Sequence, residues 1–191
     1  MILALLANMA PPPSAGALRF EISVPLRGMY CLAQEETVVV CTSREELDSV
    51  LSRFGIGQDG DFAVDFTARV VLVAFLGRKA TAGYSVEPVG AYEFYSNDQD
   101  LDPWKPLESL LKEDGVNPED IGPDPDWHAG ENLTSLFMAH LVVLQEKCPP
   151  KWAMIPQVIT SPWIMIEVKV SYTGYTMDRL YLKVLSCEEW Q

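Results

Sequence analysis

Histidine is nearly absent from this chain of 191 residues, with only His128 and His140. Neither belongs to a G-x-S-x-G elbow or a Cys/His signature, so nucleophilic catalysis with a histidine base has little to work with. His140 lies in an apolar run and reads as a strand residue with a satisfied ring, while His128 beside Trp127 reads as surface. Phosphate-cradling loops are missing too: there is no G-x-x-x-x-G-K and no G-x-G-x-x-G between a strand and a helix. Four cysteines, Cys31, Cys41, Cys148 and Cys187, include no C-x-x-C pair. A structural zinc site is therefore not expected. Cys31 and Cys41 fall on candidate neighbouring strands and can form a cross-strand disulfide in an oxidising compartment, although buried thiols are the expected outcome.

Basic residues are scarce. The 14 Lys+Arg against 27 Asp+Glu give a formal charge of -13, which repels nucleic acid and anionic membrane surfaces. No apolar run reaches the roughly 18 residues needed to span a bilayer. A soluble protein with no membrane span and no nucleic-acid partner is expected. The N-terminal stretch Met1–Ala10, with Leu5 and Leu6, has the apolar character of a signal-peptide core without a basic segment before it. It reads as an apolar arm over 1–17, stiffened by Pro11, Pro12 and Pro13, that packs on the domain or on another chain. A cytoplasmic or organellar location is expected over a secreted one.

What is present is β composition at 48% hydrophobic residues, enough for one domain over 18–191. Weak alternation from Leu18 to Val24 predicts a first strand, and Thr37–Cys41 a second after a bend at Gly28-Met29-Tyr30. Ser43 and Glu46 stand at capping-box spacing ahead of the stripe Leu47, Val50, Leu51 and Phe54, which predicts a helix over about 43–54 ended by Gly55. The run Val70–Leu76 is continuously apolar and β-branched, the pattern of a strand buried on both faces. With the turn Gly77–Gly83 and the segment Tyr84–Pro88 it reads as a central hairpin. Ser135–Leu144, Gln157–Thr160, Ile164–Val168 and Arg179–Val184 have strand composition and read as a C-terminal meander.

Between Tyr92 and Asn132, twelve acidic residues face two basic ones. Short helical patterns at Pro106–Lys112 and Asn117–Ile121 are separated by Pro103, Pro123 and Pro125. An irregular acidic insertion over about 92–132 is expected. Within it, Asp98, Asp100 and Asp102 alternate as at the start of an EF-hand loop. Pro103 then stands where the loop needs glycine, and Ser109 where it needs a bidentate Glu. Calcium at these three carboxylates is thus an alternative to a plain solvated face, and no other cofactor is indicated.

Two segments resemble the most characteristic stretches of the PrcB C-terminal domain family, named for a protease-complex subunit. One comprises Val64-Asp65-Phe66, Val70 to Gly77 and Thr81-Ala82-Gly83-Tyr84-Ser85-Val86; the other is Pro156–Ile166 with Ser161-Pro162. Gly77, Thr81, Gly83, Tyr84, Ser161 and Pro162 are read as architecture rather than as ligand contacts. The resemblance implies an accessory subunit without catalytic activity that binds and supports a larger partner. The expected fold is α+β, mainly antiparallel β, a compact sheet or barrel-like scaffold with one packed helix and the acidic insertion. Contacts to a protein partner with a basic surface are expected from Leu5 and Leu6 of the arm, from the insertion and from the aromatics Trp104, Trp127 and Trp190. The alternatives are an exported Ca²⁺- or ligand-binding β module and, third, a hydrolase built on paired carboxylates.

Overall fold

The computed structural model describes residues 15–57, 63–96, 104–122, 137–149, 158–169 and 180–187. Its elements in chain order are β1 (Ala15–Arg19), β2 (Ile22–Gly28), β3 (Glu36–Cys41), α1 (Arg44–Arg53), β4 (Arg69–Leu76), β5 (Ser85–Ser96), α2 (Trp104–Glu113), α3 (Pro118–Ile121), β6 (Phe137–Lys147), β7 (Trp163–Lys169) and β8 (Leu180–Leu185). The strands form two four-stranded sheets, the first ordered β1-β5-β6-β8 and the second β2-β7-β4-β3. Pairing is antiparallel except between β6 and β8.

The unbroken apolar character of β4 follows from its position. Val70, Leu72, Ala74 and Leu76 face the first sheet and pack with Val86, Val142 and Leu144. Val71, Val73 and Phe75 face the other way, against Leu47 and Leu51 of α1. The first sheet is also covered on its outer face: Tyr92, Phe94, Leu141 and Val143 pack against Leu107 and Leu111 of α2. The molecule is thus layered as α1, second sheet, first sheet, α2, and its central strands are apolar on both sides. Each fully buried Leu, Val or Phe in these layers contributes about 1.5–3 kcal/mol.

At α1 the capping pattern extends one residue further back. Ser43 Oγ accepts from the Glu46 amide at 3.2 Å, and Glu46 accepts from Thr42 N at 2.7 Å and Thr42 Oγ1 at 2.9 Å, with a lesser contribution from the Ser43 backbone. These bonds from Thr42 hold the Glu46 carboxyl below its ordinary range.

Several expectations need correction. The single strand expected from Leu18 to Val24 is two strands in different sheets. β1 begins at Ala15, inside the stretch assigned to the arm, and its last tether is the Phe20 amide donating to Ala91 O at 3.0 Å. The chain then crosses to the second sheet, where β2 is, among the described residues, an edge strand carrying Pro25 and a register shift between Ser23 and Leu26. Both devices blunt a free edge.

β4 and β5 are not a hairpin. β4 already has β3 and β7 on its two edges, and β5 lies between β1 and β6. Gly77–Tyr84 therefore links the two sheets. Gly77 takes φ +68°, and a Cβ there would meet the Glu35 carbonyl carbon at 2.7 Å. Arg78 N donates to Gln34 O at 3.1 Å and Lys79 N to Thr160 O at 2.8 Å, so the loop amides bond to other segments instead of across a hairpin.

The C-terminal strands are not a meander either, since β7 belongs to the second sheet and β8 returns to pair parallel with β6. Of the stretch Gln157–Thr160, Gln157 lies outside the described residues; among the rest only Thr160 makes a β-bridge, with Lys79, and Val158 and Ile159 stand outside any strand. The two sheets are not closed into a barrel. The stretch expected as an irregular insertion contributes the end of β5 and the helices α2 and α3, with Leu107, Leu111 and Val116 buried. No helix among the described residues is long and apolar enough to cross a membrane.

Candidate functional site

At the end of the second sheet where β4 finishes, four stretches of backbone are joined by hydrogen bonds. Leu32 N donates to Phe54 O at 2.8 Å, Ser161 N to Met29 O at 2.9 Å, Arg78 N to Gln34 O at 3.1 Å and Leu76 N to Pro162 O at 2.9 Å; Lys79 and Thr160 exchange both their backbone bonds. Side chains add to the joint. Ser161 Oγ donates to Ala33 O at 2.8 Å and lies 3.1 Å from Cys31 Sγ, and Thr160 Oγ1 donates to Thr81 O at 3.1 Å. The β2–β3 loop is thereby fixed to the start of β7 and to the inter-sheet crossover.

A second anchor ties the crossover to the first sheet. Lys79 Nζ lies 2.5 Å from Glu146 Oε1 of β6 and 5.4 Å from the centre of the Tyr84 ring. Gly83 takes φ +95°, where a Cβ would meet Pro149 Cβ at 2.9 Å. Gly77, Thr81, Gly83, Tyr84, Ser161 and Pro162 are thus brought to one region by β4–β7 pairing and by the Lys79–Thr160 bridge.

This braced backbone presents large apolar side chains to solvent. Tyr30 is 65% exposed and Leu32 64%, accompanied by Met29, Val158 and Ile159. The sequence pattern showed these as a bend and as part of a strand. Four apolar or aromatic residues in five, Met29, Tyr30, Leu32 and Ala33 with Cys31 among them, are unusual for a turn, and that was the available signal.

The other expected site residues are distributed differently. Trp104 is half-buried against Leu107 and Leu111 rather than presented as an exposed contact. Leu5, Leu6, Asp98, Asp100, Asp102, Trp127, His128 and Trp190 lie outside the described residues. Among the described residues no group of three or more His, Cys, Asp or Glu is placed to hold a metal ion. His140 is buried on β6, with Nε2 3.1 Å from Glu93 Oε2 and the ring edge-on to Phe20. Burial lowers its pKa against the pull of Glu93.

The disulfide joins Cys148 to Cys187, not Cys31 to Cys41, which are free. Burial, aided by Glu46, pushes the Cys41 thiol up to about 11. The Cys148–Cys187 bridge borders a groove of about 680 Å³ lined also by Asn117, Asp120, Lys147 and Lys183.

On the α2 side, Tyr92 Oη donates to Asp114 Oδ2 at 2.8 Å, and Arg19 grips the same carboxylate through Nε (2.9 Å) and Nη2 (3.0 Å). Arg19 holds the Asp114 carboxyl below the usual carboxylate range, with Tyr92 assisting against burial. Because the folded pKa is depressed, the stabilisation is present above the unfolded value near 3.9 and is lost as pH falls through the folded one. Asp114→Asn should cost about 1–2 kcal/mol at pH 7, a difference that shrinks towards pH 2. Urea midpoints of both proteins at the two pH values measure it.

No family model, curated protein or solved structure matches the chain.

Proposed function

We propose that the chain is a non-catalytic interaction subunit of a larger protein complex, with the Met29, Tyr30, Leu32, Val158 and Ile159 surface as its contact. The observation that carries this reading is the exposure of Tyr30 and Leu32 on backbone held from four directions. Leaving such side chains in water forgoes about 1.5–3 kcal/mol apiece. A loop already ordered in the free protein loses little further entropy when a partner covers it. Tyrosine is among the residue types enriched at interface hot spots, and Tyr30 stands on such a fixed platform.

The resemblance to the PrcB C-terminal domain supports the same reading, since the two stretches that carry it build the platform. The Cys148–Cys187 bridge supports an oxidising compartment for the protein, where such bonds persist.

Tyr30→Asp combined with Leu32→Asp tests the proposal. Both side chains are exposed, so the melting temperature should stay within about 2 °C. A partner that co-purifies with the wild type, and cross-links to the 29–32 loop, should be lost at least about tenfold from the variant. Equal retention by both proteins, or a wild type that sediments as a lone monomer without any partner, overturns the reading.

A further inference from the structure

The Cys148–Cys187 disulfide takes no part in the interaction surface. Cys148 follows β6 directly and Cys187 follows β8 after Ser186, so the bond pins the C-terminal ends of two parallel neighbours together. It closes a ring of chain across 39 positions that leaves the first sheet, passes through β7 in the second and returns as β8. Among the described residues β8 has one strand neighbour, β6, in the parallel pairing that is slightly the less stable kind. Every residue of β8 is half-buried: Leu180, Leu182 and Val184 lie at the margin of the inter-sheet core, Tyr181 and Leu185 at the margin of the α2 layer. By contrast, β6 is buried from Ala139 to Leu144 and is paired along its whole length with β5. Loss of β8 would therefore strip one edge and leave the rest of the sheet in place.

This is not where a brace for the whole fold belongs. Small domains need disulfides where the hydrophobic core is too small. Here three buried clusters already hold both sheets and the helices α1 and α2, and the bond joins a margin to the core rather than two parts of the core. Both cysteines are half-buried and border the groove of about 680 Å³, a volume in the range of small-molecule sites. Exposed disulfides are the readily exchanged ones. We propose that this bond is a thiol-exchange site and a latch on β8, opened by a dithiol that enters the groove. One thiolate of the dithiol attacks one sulfur of the bond. Its electron pair makes the new S–S bond, and the pair of the old bond departs on the other cysteine, which takes up a proton. The second thiolate then displaces the first protein sulfur. The protein bond has gained two electrons and two protons, and the dithiol leaves as a disulfide. With the latch open, β8 parts from β6 and bares the backbone edge of His140–Gln145. The inference is independent of the interaction reading.

Hydrogen exchange read by mass spectrometry on the full chain, without denaturant, tests the latch. Dithiothreitol at about 1 mM and near-neutral pH should reduce the bond within about an hour. Alkylation and peptide mapping should place the new thiols at Cys148 and Cys187. The amides of β8 should then exchange at least about tenfold faster, while those of β4 and β7 keep the rates of the oxidised protein. Removing the dithiol and reoxidising the chain should restore the slow rates in β8. The variant Cys148→Ser/Cys187→Ser should show the reduced pattern with or without dithiol. Four results would each overturn the inference: a bond that resists the dithiol until denaturant is added, a reduced chain whose β8 amides keep their slow rates, thiols that do not re-form the bond, or faster exchange spread over both sheets. In the last case the disulfide braces the whole fold.

Discussion

Lys79→Met should lower the unfolding free energy by about 3–5 kcal/mol, because it leaves the Glu146 carboxylate buried without its counter-charge. The Glu146 side chain is only 8% exposed, and its Oε1 has the Lys79 ammonium at 2.5 Å but no directed hydrogen bond among the described residues. Oε1 is held by charge attraction from Lys79, so removing the lysine leaves that buried oxygen without a partner. The double variant Lys79→Met/Glu146→Leu removes both charges and should recover most of the loss, since a buried ion pair and an apolar pair of similar volume are close in energy. For a domain of this size the single variant should melt roughly 6–20 °C lower. Chemical denaturation of the wild type, both singles and the double measures the coupling. If the effects of the two singles simply add, the two groups act independently and the account fails.

Leu107→Ala and Leu111→Ala should each cost about 2–5 kcal/mol, the range for emptying a fully packed core position. Both side chains are completely buried beneath α2, against Tyr92, Phe94, Leu141 and Val143. Glu108→Ala and Glu113→Ala, on the outer side of the same helix, should stay within about 0.5 kcal/mol. The contrast is diagnostic. Were α2 an appended acidic loop, all four substitutions would be nearly neutral; as a layer of the fold, it gives two large effects and two small ones. Urea midpoints of the four variants decide between these pictures.

The layered fold was legible in the sequence where one local pattern had one solution. Ser43, Glu46 and the Leu47/Leu51 stripe define α1 because capping chemistry and helical spacing agree. Val70–Leu76 defines a doubly buried strand because no half-exposed position admits seven apolar residues in a row. The assignment of strands to sheets was not legible. An apolar strand fits either side of an interface between two sheets, so nothing in Val70–Leu76 and Ser85–Gly90 says that they part company. The tight approach of Gly77 to Glu35 and the bridge of Lys79 to Thr160 accompany the diversion of the chain, and both are tertiary facts.

Acidic composition concealed α2 in a similar way. Glu108, Lys112 and Glu113 line the outer face and dominate any count, while Leu107 and Leu111 alone carry the buried one. The candidate site was hidden for a different reason. Tyr30 and Leu32 sit in a short loop without periodicity, so their exposure depends on Ser161 and Phe54, far away in sequence.

Among the described residues strand β2 has its sole sheet partner in β7, with Ile22 opposite Val168. At synthesis rates of about 5–20 residues per second, β2 waits on the order of ten seconds on the ribosome before that partner exists. Pro25 and the register shift beside it therefore guard the nascent chain as well as the finished edge. They keep an apolar strand from finding a neighbour on another ribosome while its own is still being translated.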